Sequence, residues 1–514
     1  MARLLEHKAK EVLAGSGIRV PDGFTASTPS EAATAAERLG GEAAVKAQAF
    51  VTGRAGKGLI KFAASPAEAA EAASELLGQT AGGFPVELVL VERKLPIARE
   101  LFAACLVSDE IAAPIAMLAS RGGSGVESMA ARGEAVLTKR PFDPEDGLEE
   151  PVAREMASDC GLPGELHGAA AQVLQRLSRV FLEKDARSLE INPLAVLDDG
   201  SLVAADCHFS VDDYAVSRHP ELGIEIAREI GHPATPLEKI AAAYEETDHR
   251  GTFYFLELSA TGGRLVGFHG AGGGGSMMSM DALVRHGFAA KNFCDTSGNP
   301  SAAKVYRACK HILAQEGIVG YFASGSGVAS QEQFHSARGM VKAFREWPLC
   351  VPAVIRLGGN KEEVAIDILQ RFLADLPVPV EAYGKDDSAA FCAERLDALV
   401  KEHAPVASYP CTPTARNEPA QEEYRFAIRT GSISFDHAIC ARCATKPCIA
   451  ACHAEILEPA DGKPRLKEPA EESAHRCTEC LACELACYEA KMRSIRIDLP
   501  IPGFDEYLAK RGAK

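Results

Sequence analysis

The stretch GRLVGFHGAGGGG, residues 263–275, is the first of three segments built alike; GIVGYFASGSG (317–327) and VPAVIRLGGN (351–360) are the others. Each runs from apolar, β-favouring residues into glycine. Helical patterns follow, expected from Met277, from about Ser330 and from Glu362. Three strand–loop–helix units in succession predict a doubly wound parallel sheet of the α/β class. The glycine loops then fall at the carboxyl ends of the strands, where such sheets take ligands.

Working outward, residues 1–235 alternate amphipathic helices with short β-rich runs, such as the Ala-rich helix over 66–77 and the strand VELVLVE at 86–92. The latter is continuously apolar, as in a strand covered on both faces. Downstream, Pro410, Pro413 and Pro419 mark a linker over 406–430. Four parts are therefore expected: 1–235, 236–405, the linker 406–430, and a cysteine-rich module over 431–514. A chain of 514 residues is too long for one core.

The net charge of −16 sits almost wholly before Gly431. An acidic body excludes a nucleic-acid surface, which needs clustered Lys and Arg. No run approaches the ~20 apolar residues of a membrane helix, and MARLLEHKAKEVLAGSG has no signal-peptide core. No membrane span and a cytoplasmic protein are expected.

Sixteen cysteines in such a chain do not read as a disulfide framework. Cys105, Cys160, Cys207, Cys294, Cys309, Cys350, Cys392 and Cys411 are scattered and expected as small buried apolar residues. The other eight form two runs, Cys440-x2-Cys443-x4-Cys448-x3-Cys452 and Cys477-x2-Cys480-x2-Cys483-x3-Cys487. Three thiolates of one tight loop cap three irons of a cubane, and the fourth comes from the other run. Two 4Fe–4S clusters are expected, one on Cys440, Cys443, Cys448 and Cys487, the other on Cys477, Cys480, Cys483 and Cys452. Two zinc sites are the alternative, but zinc ribbons use separated CxxC pairs. The first run is wider than the bacterial ferredoxin pattern, and His453 and Tyr488 stand where proline follows the fourth cysteine.

Three features of the first block point to a nucleotide. Lys46 lies on a probable-strand pattern, AAVKAQAF, leading into TGRAGKG (52–58), a setting that suits phosphate; a plain surface loop would read the same. Glu92 ends an apolar strand and Glu100 follows, either a nucleoside contact or solvated charges. In SLEINPLAVLDDGSLVAADCHF the turn Asp198–Asp199–Gly200 joins two strands. Asn192 and Asp206 then sit on paired strands, where their oxygens could meet Mg²⁺, or belong to a structural hairpin.

MARLLEHKAKEVLAGSGIRVP, VKAQAFVTGRAGKG, VERKLPIARE, EINPL, HGAGGGGSM, SGSGVAS and VIRLGGN, in this order, resemble the β subunit of succinyl-CoA synthetase over about residues 1–400. The resemblance implies an ATP-grasp domain, then a flavodoxin-like CoA-ligase domain, before a small α+β ferredoxin-like domain. It implies that Lys46 with Gly53, Arg54 and Ala55 contacts ATP or ADP phosphates. Glu92, the backbone near Leu95, and Glu100 would line the adenosine pocket, and Asn192 and Asp206 would hold Mg²⁺. The helix after Gly325, Ser326, Gly327 and Val328 would receive the phosphoryl group at its N-terminus. Departures fall at Ala55, where the family has Gly, and at His269, which replaces an acyl-contacting Asn and contacts a different acid or is a buried histidine.

The family's phosphohistidine and CoA site lie on a separate α subunit, and His208 and His335 have no comparable loop. An α-type partner is therefore implied, making the chain a β-type subunit of an ADP-forming acyl-CoA synthetase. The cysteine module adds a redox partner, such as a ferredoxin-dependent 2-oxo acid or aldehyde oxidoreductase. Two other readings remain: an electron-transfer subunit on a synthetase-like scaffold, and ATP-driven electron transfer.

Overall fold

A computed structural model describes residues 1–123, 125–228, 232–248, 250, 252–259, 263–325, 327–403 and 420–512. The chain divides into two compact units, Met1–Ala234 and Thr235–Lys514.

In the first unit, helix α1 (Glu6–Gly15) precedes a four-stranded antiparallel sheet. Its inner strands are β1 (Ala43–Ala47) and β2 (Val89–Arg93), flanked by Ile60–Ala63 and Gly23–Ala26. All of β1 is buried, consistent with its unbroken AAVKA run. A second, larger antiparallel sheet centres on β3 (Ile97–Ser108) and β4 (Ala186–Leu197), with β4 also pairing β5 (Cys207–Val211). The Asp198–Gly200 turn closes the expected hairpin, with Leu194 opposite Ala204 and Ile191 opposite Cys207.

In the second unit, β6 (Arg264–Ala271), β7 (Ile318–Gly325), β8 (Ala353–Arg356) and β9 (Val380–Tyr383) run parallel in one seven-stranded sheet. Side chains alternate between its faces. Val266, Phe268, Phe322 and Val354 meet helices α2 (Gly273–Arg285) and Ala389–Glu402. Tyr321, Ala323, Ala353 and Ile355 meet α3 (Ala302–Leu313), α4 (Phe334–Glu346) and α5 (Glu362–Leu373) on the other. The sheet is doubly wound.

Two helix starts differ from the sequence expectation. Helix α2 begins at Gly273 rather than Met277, so the glycine run supplies its first turn. Helix α4 begins at Phe334, later than Ser330. Residues before it are held to the next loop instead: Asn360 N–H donates to Ala329 O at 3.0 Å, and Gln333 N–H donates to Asn360 O at 2.8 Å.

Residues 404–419 of the expected linker lie outside the described residues. Its later part is a strand, β10 (Glu423–Ala427), not a linker, because it pairs with β11 (Ser432–Asp436), which pairs in turn with β12 (Ile495–Asp498). Helix α6 (Ala482–Glu489) precedes β12, and α7 (Phe504–Gly512) follows it.

This C-terminal segment shares a core with the parallel sheet. Arg307 is fully buried on α3; its guanidinium donates to Thr430 Oγ1 (2.9 Å), Thr430 O (3.1 Å) and Pro500 O (3.2 Å). The Trp347 and Phe504 rings stand edge-to-face at 6.1 Å. Cys350 is buried in this core, as expected of the scattered cysteines, but is disulfide-bonded; Cys411 lies outside the described residues.

Fully buried His311 on α3 lies 5.3–5.5 Å from the rings of Phe253, Phe255 and Phe504. Burial lowers its pKa to about 4. An unfolded imidazole titrates near ~6.5. The folded value is the lower one, so the unfolded chain binds more protons in between, and stability falls as pH drops from ~6.5 toward 4. At about 1.4 kcal/mol per pKa unit, His311 alone costs on the order of 3 kcal/mol by pH 4. Urea midpoints measured between pH 7.5 and 5 should fall, and His311→Phe should flatten that slope. An unchanged slope in the variant refutes the assignment.

Candidate functional site

The first unit holds a closed ionic cage. Helix α1 brings Glu6 and Lys10 one turn apart; β1 brings Lys46, β2 brings Glu92, and the loop after β1 brings Arg54. Glu6 lies 2.7 Å from Lys10, 3.0 Å from Lys46 and 2.7 Å from Arg54. Glu92 lies 2.5 Å from Lys10 and 2.7 Å from Lys46. Arg54 reaches Asp206 at 2.6 Å, and Lys46 donates to Ala205 O at 2.6 Å.

Three cations thus meet three carboxylates, with Lys46 only 8% and Arg54 4% exposed. Burial opposes the charge on Glu6, but Lys10, Lys46 and Arg54 hold its pKa well below the usual carboxylate range. Burial likewise works against Lys46, and Glu6, Glu92 and Asp206 overcome it, raising its pKa. Lys46 and Arg54 stay charged, as phosphate binding requires.

Asn192 and Asp206 pair through the main chain beyond the hairpin, where Asn192 N–H donates to the Asp206 backbone O at 3.1 Å. Asn192 Oδ1 accepts from Gly123 N–H at 2.7 Å, and its Nδ2 donates to Glu190 at 3.0 Å. Gly122 is confined here: a Cβ would stand 2.6 Å from Leu101 O and 3.4 Å from Asn192 Oδ1. Its N–H donates to Glu100 O at 2.9 Å, which joins Glu100 to the Asn192 end of the cage. Glu100, with Arg99, Ser120 and Arg121, lines an open cleft.

Glu92 behaves otherwise than an open pocket wall would: it is 2% exposed and committed to the two lysines. Leu95 is half-buried in the turn before β3. Gly53 and Ala55 border Arg54; Gly53 has a positive φ of 66°, and Ala55 begins a short 3-10 turn. Glu6 and Lys10 escaped the sequence reading, since their one-turn spacing on α1 is equally that of an exposed helix ion pair.

In the second unit Gly325 closes β7 where a Cβ would stand 2.6 Å from Ala271 O. Arg356 covers the loop, donating to Gly325 O at 2.9 Å. Gly327 has φ 77° and Val328 is 81% exposed; Ser326 lies outside the described residues. The helix they were expected to start begins six residues after Val328, at Phe334.

His269 is 3% exposed, with Nδ1 at 2.7 Å from Tyr321 Oη and Nε2 at 3.3 Å from Thr296 Oγ1. Burial lowers its pKa to about 4. His269 is thus buried, with both ring nitrogens beside hydroxyls of the protein.

The eight clustered cysteines gather as two sets of four. Cys440 Sγ and Cys487 Sγ stand 3.3 and 3.2 Å from the same Ser494 Oγ. Burial pushes the Cys448 thiol up to about 12, and Cys487, Cys440 and Cys443 lie near enough to add to that rise. Burial also raises Cys483, whose thiol neighbours are Cys480, Cys477 and Cys452. Glu479 and Leu481, with φ of 52° and 60°, coil the second loop around its thiols. Among the described residues no three His, Cys, Asp or Glu side chains close tightly enough for a single metal ion. A group in which each thiolate caps a separate iron asks for wider spacing than a single ion does.

Residues 3–196 match the model of an ATP-grasp domain. The GDP-forming succinate–CoA ligase β subunit of Thermus thermophilus is 36% identical over 367 residues, 71% of this chain and 93% of that protein. The ADP-forming counterpart of Rubrobacter xylanophilus is 34% identical over 71% of this chain and 92% of its own length. That of Natronomonas pharaonis is 32% identical over 74% and 96%. ATP citrate lyase from Methanothrix soehngenii, solved with citrate and coenzyme A, shares the fold at a TM-score of 0.60, with 19% identity over 78% of this chain and all of that one.

With these succinate–CoA ligase relatives, the chain is a ligase subunit of the acid–thiol class. The chain belongs to the family of succinate–CoA ligase β subunits. No helix among the described residues is long and apolar enough to cross a membrane.

Proposed function

We propose that this chain is the β-type subunit of an ADP-forming acyl-CoA synthetase whose C-terminal module is a ferredoxin-like domain with two 4Fe–4S clusters. The reaction is acyl-CoA + ADP + phosphate ⇌ acid + CoA + ATP. An α-type partner contributes the CoA site and the phosphohistidine, and a 2-oxo acid or aldehyde oxidoreductase exchanges electrons with the module in the cytoplasm. The observation that carries the reading is the cage, where the Asp206 carboxylate lies 2.6 Å from the charged Arg54 and the Asp206 backbone pairs with that of Asn192.

Lys46 and Arg54 neutralise the nucleotide phosphates, with Gly53 and Ala55 letting the loop approach. Asn192 and Asp206 hold Mg²⁺, which supplies charge stabilisation to the phosphoryl oxygens. Glu100 and the backbone near Leu95 line the nucleoside end, where Glu92 acts as counter-ion to Lys46. Gly325, Ser326, Gly327 and Val328, ahead of α4, form the loop that meets the incoming phosphoryl group. Cys440, Cys443, Cys448 and Cys487 hold the first cluster, and Cys477, Cys480, Cys483 and Cys452 the second. Each cluster supplies one-electron chemistry.

The test is the anaerobically isolated native complex carrying Asn192→Ala with Asp206→Ala. Nucleotide-dependent thioester turnover should fall at least 100-fold while iron content stays at eight per chain, two four-iron groups. Unchanged turnover overturns the ligase reading and leaves an electron-transfer subunit on a ligase frame. ATP-dependent cluster reduction without thioester turnover would instead establish ATP-driven electron transfer.

A further inference from the structure

Helix α4 carries a row of basic side chains toward the C-terminal segment. Lys342 lies 2.9 Å from Glu484, the neighbour of Cys483 in α6. Arg345 stacks on Tyr488, with its Cζ 4.5 Å from the ring centre. Arg338 is one turn before Lys342 and shares its face. Its guanidinium rests on Phe334 at 4.5 Å, yet Nε and Nη1 are buried with no hydrogen-bond partner among the described residues. Cys480 and Cys483 lie within electrostatic range of its guanidinium.

Two buried, unanswered N–H groups on a cation are costly unless an anion meets them. We propose that Arg338 is a positioning residue for the second cluster, reserving its buried N–H pair for the group held by Cys452, Cys477, Cys480 and Cys483 and setting that group's reduction potential. This deepens the proposed function and rests on its assignment of the cysteines.

A cubane with four thiolates is an anion, and one-electron reduction adds one further negative charge with no bond broken. A fixed cation beside it favours the reduced form and raises the potential, since net charge and hydrogen bonding to sulfur tune such groups. Helix α4 follows the loop assigned to phosphate, so one helix would carry the phosphate loop ahead of its start and the redox-linked cation in its second turn. Neither the cysteine spacing nor the family resemblance points to Arg338.

The experiment is an anaerobic dithionite titration of the full chain, read by electron paramagnetic resonance, with iron counted per chain. Wild type, Arg338→Gln and Arg338→Lys are compared. The affected signal is assigned with Cys480→Ser. In Arg338→Gln the ratio of reduced to oxidised second cluster at a fixed potential should fall about tenfold, equivalent to about 59 mV for a one-electron couple. The first cluster should not move. Arg338→Lys, which keeps charge but not the planar fork, should shift in the same direction by less, and it carries the test if the Gln variant does not fold. Two intact clusters with unchanged potentials in a folded variant overturn the role of Arg338 while leaving the clusters standing. A wild-type chain that takes up no iron overturns the cluster assignment itself, and this inference with it.

Discussion

Glu6→Ala is expected to destabilise the first unit by about 3–5 kcal/mol, the usual cost of removing one partner from a buried ion pair. Glu6 is 4% exposed and serves Lys10, Lys46 and Arg54 together. Its loss leaves three buried cations facing two carboxylates. For a unit of this size that corresponds to a thermal midpoint lower by roughly 6–20 °C. The wild-type contribution also has a pH signature. Because the folded pKa of Glu6 lies below the unfolded one, the stabilisation is complete above ~4.3 and disappears as pH falls through the folded value. The difference between wild type and variant should therefore narrow in acid. If the nucleotide binds the cage, saturating Mg·ATP should return part of the loss, about 2.7 kcal/mol at one hundred times Kd. A variant melting within a degree of wild type at pH 7.5 would show that the cage does not hold the unit together.

Lys342→Met is the second large effect. Lys342 is 7% exposed and lies between Glu346 at 2.7 Å and Glu484 at 2.9 Å. Burial opposes its charge, and the two carboxylates overcome it, raising its pKa. Without the ammonium, Glu484 keeps only a neutral partner in the Ile497 N–H at 3.0 Å, and two carboxylates confront each other near α4. A loss of about 3–5 kcal/mol is expected. Burial holds the Glu484 pKa above its ordinary value, so the variant should regain stability as the carboxyl takes a proton on mild acidification. Lys342→Met with Glu484→Gln should recover most of the loss, because the buried Glu484 charge is then gone and Glu346, whose side chain is 44% exposed, keeps the Tyr306 hydroxyl. Urea unfolding followed by circular dichroism reads each step. A single variant as stable as wild type would mean that the C-terminal segment does not bear on α4.

Both predictions concern contacts that no local pattern announces. Glu6 and Asp206 are brought to Arg54 from positions 48 residues before it and 152 after it. Nothing in MARLLEHKAKEVL distinguishes a caged glutamate from a solvated one. Glu92 illustrates the converse: its place at the end of a strand was readable, but whether its carboxylate faced a pocket or two lysines depended on where α1 packs. The late start of α4 has a similar origin, since residues 329–333 are held by the neighbouring loop at Asn360 rather than by helix propensity. Glu423–Ala427 lies close to three prolines and resembles linker by composition, yet it is a strand because Ser432–Asp436 offers it a partner. That His269 would be buried against the Tyr321 and Thr296 hydroxyls was equally unreadable, since both come from distant segments.

Local spacing along the chain was sufficient for the doubly wound sheet and the Asn192–Asp206 hairpin, because each is built from segments whose periodicity or turn chemistry admits few alternatives. Packing alone decided that three buried cations are matched by three carboxylates, and that the cysteine-bearing segment shares a core with the parallel sheet. Those are long-range outcomes: they follow from which surfaces lose water together, and burial is a property of the assembled chain rather than of any segment in it.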